Sequence, residues 1–257
     1  MESDVHLAQM LLLLASLRWL WRHRKDFFAA GNLSIYYPVV SPQTGRPARK
    51  KLAFRGPDFF VVLGARPKPR RNSWVVENED GKYPDVIVEI LSKRTQAADR
   101  GEKKAVYEKV FRTPEYFLFD PDKLVLEGYR LSRGRYASIA KDGAGRLWSE
   151  RLKLGLGVHG DKLRFFDVRG ALVPLPEEDA EKERAAAHKA REAAREAAAR
   201  AAAAQQEARK ANAREAAAQR EAREANAREA SAREAAQEAR EETARLRRRL
   251  RALGVKA

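Results

Sequence analysis

The chain has 257 residues, a formal net charge of +16 and no cysteine. The missing thiols exclude structural disulfides and thiolate metal sites, and they favour a reducing, cytoplasmic location. The positive charge favours polyanionic partners such as nucleic acid, although a basic surface alone does not establish that binding.

The first element is predicted to be a helix over residues 4–29, because apolar side chains recur there at helical spacing. Gly31 and Asn32 are expected to end it. The apolar run at residues 10–17 is not predicted to be a signal peptide, since acidic residues precede it where a basic segment is usual. It is also shorter than the ~20 residues of a membrane span. We therefore predict a buried amphipathic helix and no membrane association.

Strands are predicted where short apolar runs lie between Gly, Pro and polar turns. These runs are residues 33–40, 59–63, 74–77, 86–91 and 115–120, with a turn-rich loop at Ser41–Arg49. A helix is predicted over residues 98–111, with Val106 and Val110 on its inner face near Lys103 and Tyr107. Residues 124–167 alternate short strands with Gly turns, which predicts an antiparallel extension.

The composition changes at Pro176. All Trp, Tyr, Phe and Pro residues lie within residues 1–176, and the remainder is rich in Ala, Arg, Glu and Gln. We therefore predict one compact domain over residues 1–176 and a long helix over residues 177–257. The sequence ANAREAA at 211–217 returns as ANAREAS at 225–231, two heptads later. The helix is predicted to be either a single solvated helix or a shallow, alanine-lined coiled coil.

Acidic residues on two predicted strands, with a lysine on the next helix, indicate a candidate site. Asp58 opens the strand at 59–63, and Asp85 and Glu89 share one face of the next central strand because side chains alternate. An ionised Glu89 among apolar neighbours is costly unless it is paired or binds a cation. Carboxylate oxygens from two strands suit Mg²⁺, and Lys103 would orient water or neutralise charge on a phosphate.

A purely structural interpretation explains the same residues. Glu89 would form a buried ion pair with Lys103 or Arg100, and Asp85 would only cap a turn. Asp99 and Arg100 would then be a helix cap and its surface partner. The residues alone leave both interpretations open.

A basic loop is the predicted phosphate contact. Residues 64–73 leave the strand that starts after Asp58, and they carry Arg66, Lys68, Arg70 and Arg71. Such side chains commonly bind the backbone of nucleic acids. A solvated, flexible loop is the alternative.

Four segments occur in a characteristic order: GPDFFVVLG, YPDVIVEILS, DRGEKKAVYEK and EYFLFDP. With these segments the chain resembles the Uma family of restriction endonucleases, a branch of the PD-(D/E)XK nuclease superfamily, over nearly all of residues 10–170. The resemblance implies an α/β (α+β) fold in which a mixed central β-sheet is flanked by helices. A long Ala/Arg/Glu-rich helical tail is also familiar in that family.

The resemblance also implies site residues and a cofactor. The family's two acids fall on Asp58 and Glu89, which would bind Mg²⁺, or Mn²⁺ in its place, for hydrolysis of DNA. The superfamily's lysine often lies two residues after the second acid, where this chain has Leu91. In the Uma branch it belongs to a D-R-x-x-K-x-x-x-Y pattern on the following helix, which matches Asp99, Arg100, Lys103 and Tyr107 here.

Two further expectations refine this site. Lys104 would point about 100° away from Lys103 on a helix, so Lys103 is the better candidate. One metal ion is expected rather than two, because the acids of the first helix, Glu2, Asp4 and Asp26, are not well placed. The histidines at 6, 23, 159 and 188 have no ligand spacing to one another and are not predicted to bind metal.

The preferred function is a Mg²⁺-dependent DNA endonuclease. A homodimer through the nuclease domain or the C-terminal helix is a separate expectation. One alternative function is a catalytically inactive, nuclease-like scaffold that associates through its C-terminal helix. The other is a nucleic-acid-binding protein without activity, which would bind DNA in a strongly salt-dependent way.

Overall fold

The structure, a computed structural model, describes residues 4–40 and 47–252. It divides into two units, Met1–Glu183 and Arg184–Ala257. Within the described ranges, no helix is both long and apolar enough to cross a membrane. The first unit contains the sheets and the candidate site.

The described residues form twelve β-strands. In chain order they are β1 (Phe27–Gly31), β2 (Ile35–Val40), β3 (Pro47–Arg55), β4 (Phe59–Leu63), β5 (Trp74–Val75), β6 (Val86–Ile90), β7 (Glu115–Asp120), β8 (Val125–Ser132), β9 (Arg135–Ser138), β10 (Leu147–Ser149), β11 (Leu154–His159) and β12 (Lys162–Phe166). The central sheet has the order β1-β4-β6-β7-β8-β9, and two three-stranded sheets have the orders β10-β11-β12 and β3-β2-β5.

The central sheet is mixed because β6 and β7 pair in parallel and all its other neighbours are antiparallel. A parallel pair needs a crossover connection, usually helical. Residues 96–111 supply it as one helical segment, which we call the site helix. It consists of α-helical turns at Gln96–Ala98 and Lys104–Val106 and π-helical turns at Asp99–Lys103 and Tyr107–Phe111.

Alternate side chains of the central strands belong to two hydrophobic clusters, as period-two alternation requires. On β4, Phe59 belongs to a cluster with Leu13 and Leu17 of helix α1 (Asp4–Leu20). The next residue, Phe60, belongs to a second cluster with Tyr107 of the site helix. The sheet is therefore covered by a helix on each face, and the predicted fold class is confirmed.

The first predicted helix is too long. Helix α1 ends at Leu20, and Phe27–Gly31 forms β1, which pairs antiparallel with β4 in the register Phe27↔Leu63. Without β1, the strand β4 would present an unpaired edge of backbone N–H and C=O groups. Gly31 accordingly lies in a strand and does not end a helix.

The remaining strand predictions are confirmed, with shifts of one or two residues at their ends. The segment 124–167 forms the antiparallel strands β8 to β12. Of the predicted loop Ser41–Arg49, residues 47–49 belong to β3 and residues 41–46 lie outside the described residues.

The C-terminal helix, Pro176–Ala252, follows the sheets. Proline suits the first turn of a helix because the missing N–H would have no partner there. Within the first unit, Glu178 Oε2 lies 2.7 Å from Arg164 Nη2, and Trp19 Nε1 donates to Asp179 Oδ2 at 3.1 Å. The predicted domain boundary after residue 176 stays a prediction.

Candidate active site

The register of β4 against β6 places Asp58 beside Glu89. Phe59 is the partner of Val88, so the residue before β4 lies opposite the residue after Val88. The backbone N–H of Asp58 donates to Glu89 Oε2 at 3.3 Å, and the N–H of Ile90 donates to Asp58 Oδ2 at 2.7 Å. Glu89 thus accepts a hydrogen bond from the backbone of Asp58 itself, and Asp58 accepts one from the backbone of the residue after Glu89.

Glu89 is fully buried, with an exposed fraction of 0%. Tyr107 Oη donates to its Oε1 at 2.8 Å, and Lys103 Nζ donates to its Oε2 at 3.1 Å. Burial, with a further contribution from the charge of Asp58, raises the pKa of Glu89 to about 8 in spite of these two donors. Further positive charge is thus needed to ionise Glu89 fully at neutral pH.

Lys103 lies between two buried carboxylates. Its Nζ is 2.8 Å from Asp99 Oδ1 and 3.1 Å from Glu89 Oε2. Burial lowers the pKa of Lys103, but Glu89 and Asp99 more than offset it and raise the pKa to about 12. The ammonium group is therefore charged at neutral pH, and its position is fixed from two sides.

Asp99 is a buried member of the site, and only 1% of it is exposed. Its carboxylate contacts Lys103 as an ion pair, yet neither oxygen has a well-formed hydrogen bond within the described part of the chain. A buried carboxylate without hydrogen bonds depends strongly on its cation. The purely structural interpretation of Asp99 as a helix cap is wrong, since Asp99 lies inside the helical segment and contacts Lys103.

The two π-helical turns of the site helix align its functional side chains. In a regular α-helix, positions four apart drift around the axis by about 40°. A wider turn reduces that drift, and π-helical turns often occur at functional sites. Four residues at this spacing lie on the inner face, Asp99, Lys103, Tyr107 and Phe111.

The predicted inner face of this helix needs one correction. Val110 is 39% exposed, whereas Tyr107 and Phe111 are buried. The cause is the π-helical turn at Tyr107–Phe111, which shifts the buried column away from the α-helical pattern. Lys104 packs over the ring of Tyr129, 3.3 Å from its centroid. Only the neighbouring lysine, Lys103, contacts Glu89.

A cleft of about 670 Å³ opens at this end of the central sheet. Its lining residues come from five parts of the first unit: Val5, His6, Gly56, Asp58, Leu91, Ser92, Lys93, Arg94, Thr95, Lys103, Pro121 and Asp122. Asp58 and Lys103 are thus accessible from one opening. A cleft with convergent polar groups is the usual form of a binding site.

His6 belongs to the site although its sequence position gave no sign of it. Its Nε2 lies 3.6 Å from Asp58 Oδ2, and its exposed fraction is 7%. Helix α1 brings it there from 52 positions away. No spacing to another histidine could have found it, because its neighbour is an aspartate that approaches only in the folded chain.

Asp85 lies at the opposite end of β6 from Glu89. Its Oδ2 accepts the backbone N–H of Leu63 at 2.7 Å, and its Oδ1 forms an ion pair with Arg151. The two acids share a strand face, but the structure does not bring Asp85 into the cleft. Its contacts tie the end of β4 to the start of β6.

The basic loop also lies far from Asp58, since it follows Leu63 at the other end of β4. The side chain of Arg71 is 6% exposed and pairs with Glu79 at 3.0 Å. Lys68 pairs with Glu79 at 2.8 Å, and Arg66 pairs with Asp80 at 3.1 Å. Arg70 is exposed. Phosphate binding by this loop stays a prediction, and the structure does not bring the loop to the acids.

Asp58 and Glu89 provide two of the oxygen ligands that a Mg²⁺ ion would need. Among the described residues, no group of three or more His, Cys, Asp or Glu side chains is arranged to hold a metal ion. Mg²⁺ is nevertheless usually held by one or two carboxylates together with water and substrate phosphates. Asp58 and Glu89 provide that pair, and a bound cation would compensate for the burial of Glu89.

Comparisons with known proteins identify the family of this chain. The Uma2 family model, described as "Putative restriction endonuclease", matches residues 1–163. A solved structure described as a putative nuclease belonging to DUF820, from Anabaena variabilis, is 16% identical, with a TM-score of 0.43 over 59% of this chain and 75% of that chain. No curated protein matches the chain. Because the family model covers more than half of its length, the chain belongs to the Uma2 family.

Proposed function

We propose that the protein is a Mg²⁺-dependent DNA endonuclease that hydrolyses phosphodiester bonds. The observation that carries the proposal is the contact of Glu89 with both Asp58 and a charged Lys103, the two of which line one cleft. Family membership supports the reaction class, and the choice of DNA and of the metal ion goes beyond it.

Each residue has a distinct role in this reaction. Asp58 and Glu89 would hold the cation, which supplies Lewis acidity for a phosphoryl oxygen and lowers the pKa of water. Lys103, fixed by Glu89 and Asp99, would orient the attacking water or neutralise charge that develops on the phosphate. Tyr107 fixes the conformation of Glu89 through its hydroxyl. In the overall reaction one P–O bond forms to water and one P–O ester bond breaks.

Nicking of supercoiled plasmid in Mg²⁺ or Mn²⁺ tests the proposal. The purified protein should convert plasmid to the open circular form, EDTA should stop the reaction, and Glu89→Ala should abolish it. Equal nicking by the Glu89→Ala protein would contradict the proposal.

Lys103 and Lys104 provide a matched pair of variants for the same assay. Lys103→Met should lower the rate about 100-fold or more, as is typical when one electrostatic group of an active site is removed. Lys104→Met removes the same charge from the adjacent position over Tyr129, and it should change the rate less than about threefold. Similar losses in both variants would exclude a specific role for Lys103.

A non-catalytic nucleic-acid-binding protein is the second candidate. The observation that favours it is the Glu89–Lys103 ion pair, which already satisfies both residues in part. In that case DNA would bind without being cleaved, and Mn²⁺ would not raise the melting temperature of the protein. Under the first proposal, Mn²⁺ binding to the folded state should raise it.

A further inference from the structure

The turn between β6 and the site helix forms one wall of the cleft. This turn, Ser92–Thr95, is held firmly by the backbone on both sides. The N–H of Leu91 donates to the carbonyl of Phe119 at 2.7 Å, and the N–H of Gln96 donates to the carbonyl of Ser92 at 3.0 Å. Ser92 Oγ also accepts the N–H of Thr95 at 3.2 Å. The two residues in its middle, Lys93 and Arg94, therefore project from a fixed backbone.

Lys93 and Arg94 differ from the other cations near the cleft. Both are exposed and line the cleft, and neither has an ion pair or side-chain hydrogen bond with any residue that the structure describes. Lys103, by contrast, is held by Glu89 and Asp99. The turn thus contributes two positive charges that are free to bind an anion.

The predicted phosphate contacts in the basic loop show the opposite arrangement. Arg66, Lys68 and Arg71 each pair with an acid of their own neighbourhood. Recruiting them to a phosphate would break those pairs, and they lie at the far end of β4 from Asp58. The turn lies closer to the acids than the basic loop does, and its two cations have no ion-pair partners among the described residues. It is therefore the better candidate for phosphate binding.

The acids of the cleft repel an approaching phosphate. Asp58 and Asp122 line the cleft, so a phosphate that approaches them meets like charge. Cations at the rim offset that repulsion and raise the local concentration of a polyanion. From this geometry we infer that Lys93 and Arg94 bind the phosphate backbone of a nucleic acid beside Asp58 and Glu89. The inference rests on the proposed function, because it takes the cleft to be where nucleic acid is bound.

The salt dependence of DNA binding tests this inference. The full-length protein, the Lys93→Gln/Arg94→Gln variant and a matched control, Arg133→Gln/Arg135→Gln, are titrated with a fluorescent 30-base-pair duplex in EDTA at several NaCl concentrations. Each phosphate contact contributes about 0.9 to the slope of log K against log salt. Loss of Lys93 and Arg94 should reduce that slope by about 1.8 and weaken binding about tenfold or more. The control removes two exposed charges at the turn between β8 and β9, outside the cleft lining, and should keep the wild-type slope.

Two results would overturn the inference. One is an unchanged slope for the Lys93→Gln/Arg94→Gln variant, and the other is an equal loss in the control, which would show only a general charge effect. Thermal melting checks that both variants are folded.

Plasmid nicking, measured separately in Mg²⁺, distinguishes the two proposals. A wild-type protein that binds DNA through the turn without nicking it would contradict the endonuclease proposal, and the turn would remain its DNA-binding surface. A wild-type protein that does not bind DNA overturns both.

Discussion

Glu89 couples the stability of the folded protein to pH. Its pKa is raised from 4.5 to about 8 by burial, so the folded chain binds this proton more tightly than the unfolded chain does. A raised carboxyl pKa means that stability falls as pH rises between these two values, and the loss is complete above the higher one. The effect is on the order of several kcal/mol at most.

We expect Glu89→Gln to remove this pH dependence. Its amide keeps hydrogen-bonding groups near Tyr107 and Lys103 but cannot ionise. In EDTA, thermal melting should show the variant gaining stability relative to wild type between pH 5 and pH 8.5. A difference in melting temperature that is the same at both pH values would show that Glu89 keeps an ordinary pKa.

His6 is expected to support Asp58 in metal binding. Residues that contact a metal ligand orient it, and losing one typically costs 10- to 100-fold in affinity or activity, so His6→Ala should weaken Mn²⁺ binding by about that factor. Calorimetric titration with Mn²⁺ measures the change. His23→Ala is the control, because His23 is exposed and lies outside the cleft lining. Wild-type affinity in the His6→Ala protein would remove His6 from the site.

Some site residues can be recognised from the local sequence pattern, whereas others become neighbours of the site only in the folded chain. Asp58, Glu89 and Lys103 stand next to apolar strands or in a helix motif, so each was predictable from its own neighbours. Asp99 belongs to the same helix motif as Lys103, but its inward position depends on the π-helical turn. His6 was not predictable, because its position beside Asp58 depends on how α1 packs.

At the scale of elements, Asp85 joins the ends of two central strands. It accepts the N–H of Leu63 and pairs with Arg151, so truncation leaves a backbone donor and a cation unpaired. We expect Asp85→Ala to lower the free energy of unfolding in urea by about 1–3 kcal/mol. Its Mn²⁺ affinity should match that of wild type, because Asp85 lies outside the cleft lining. A parallel loss of metal affinity would place Asp85 in the site after all.

The elements themselves were predictable where the sequence pattern matched their burial. Strands β4, β6 and β7 are mostly apolar and are covered on both faces, and both their type and their position were found. Strand β1 was missed because FFAAG follows a helical pattern without a proline or glycine break. Its strand conformation comes from pairing with β4, a contact between segments about 30 positions apart.

At the scale of the whole molecule, the second unit is a helix whose side chains are exposed along its described length. Neighbouring charges four positions apart pair along it, as in Glu196–Arg200 at 3.8 Å. Such pairs are worth only about 0.2–0.5 kcal/mol each, and alanine contributes high intrinsic helix propensity. The composition alone predicted this helix, because its formation requires no distant partner.

We expect a peptide of residues 184–257 to be a monomeric helix. Alanine buries little surface in a coiled-coil seam, so association should be weak. Circular dichroism should show a broad melting curve that is independent of peptide concentration. A steep curve whose midpoint rises with concentration would instead establish the coiled coil.

The reciprocal hydrogen bonds of Asp58 and Glu89 affect how the sequences of related proteins should be interpreted. Each carboxylate satisfies a backbone N–H at or next to the other acid, so both contribute to joining β4 and β6 whether or not any bond is cleaved. A homologue that had lost catalytic activity would still be under selection to keep the two acids, because they stabilise the fold. Lys103 has a structural role as well, because the buried carboxylate of Asp99 depends on its ammonium group. Activity in a relative should therefore be measured and not inferred from the presence of counterparts of Asp58, Glu89 and Lys103.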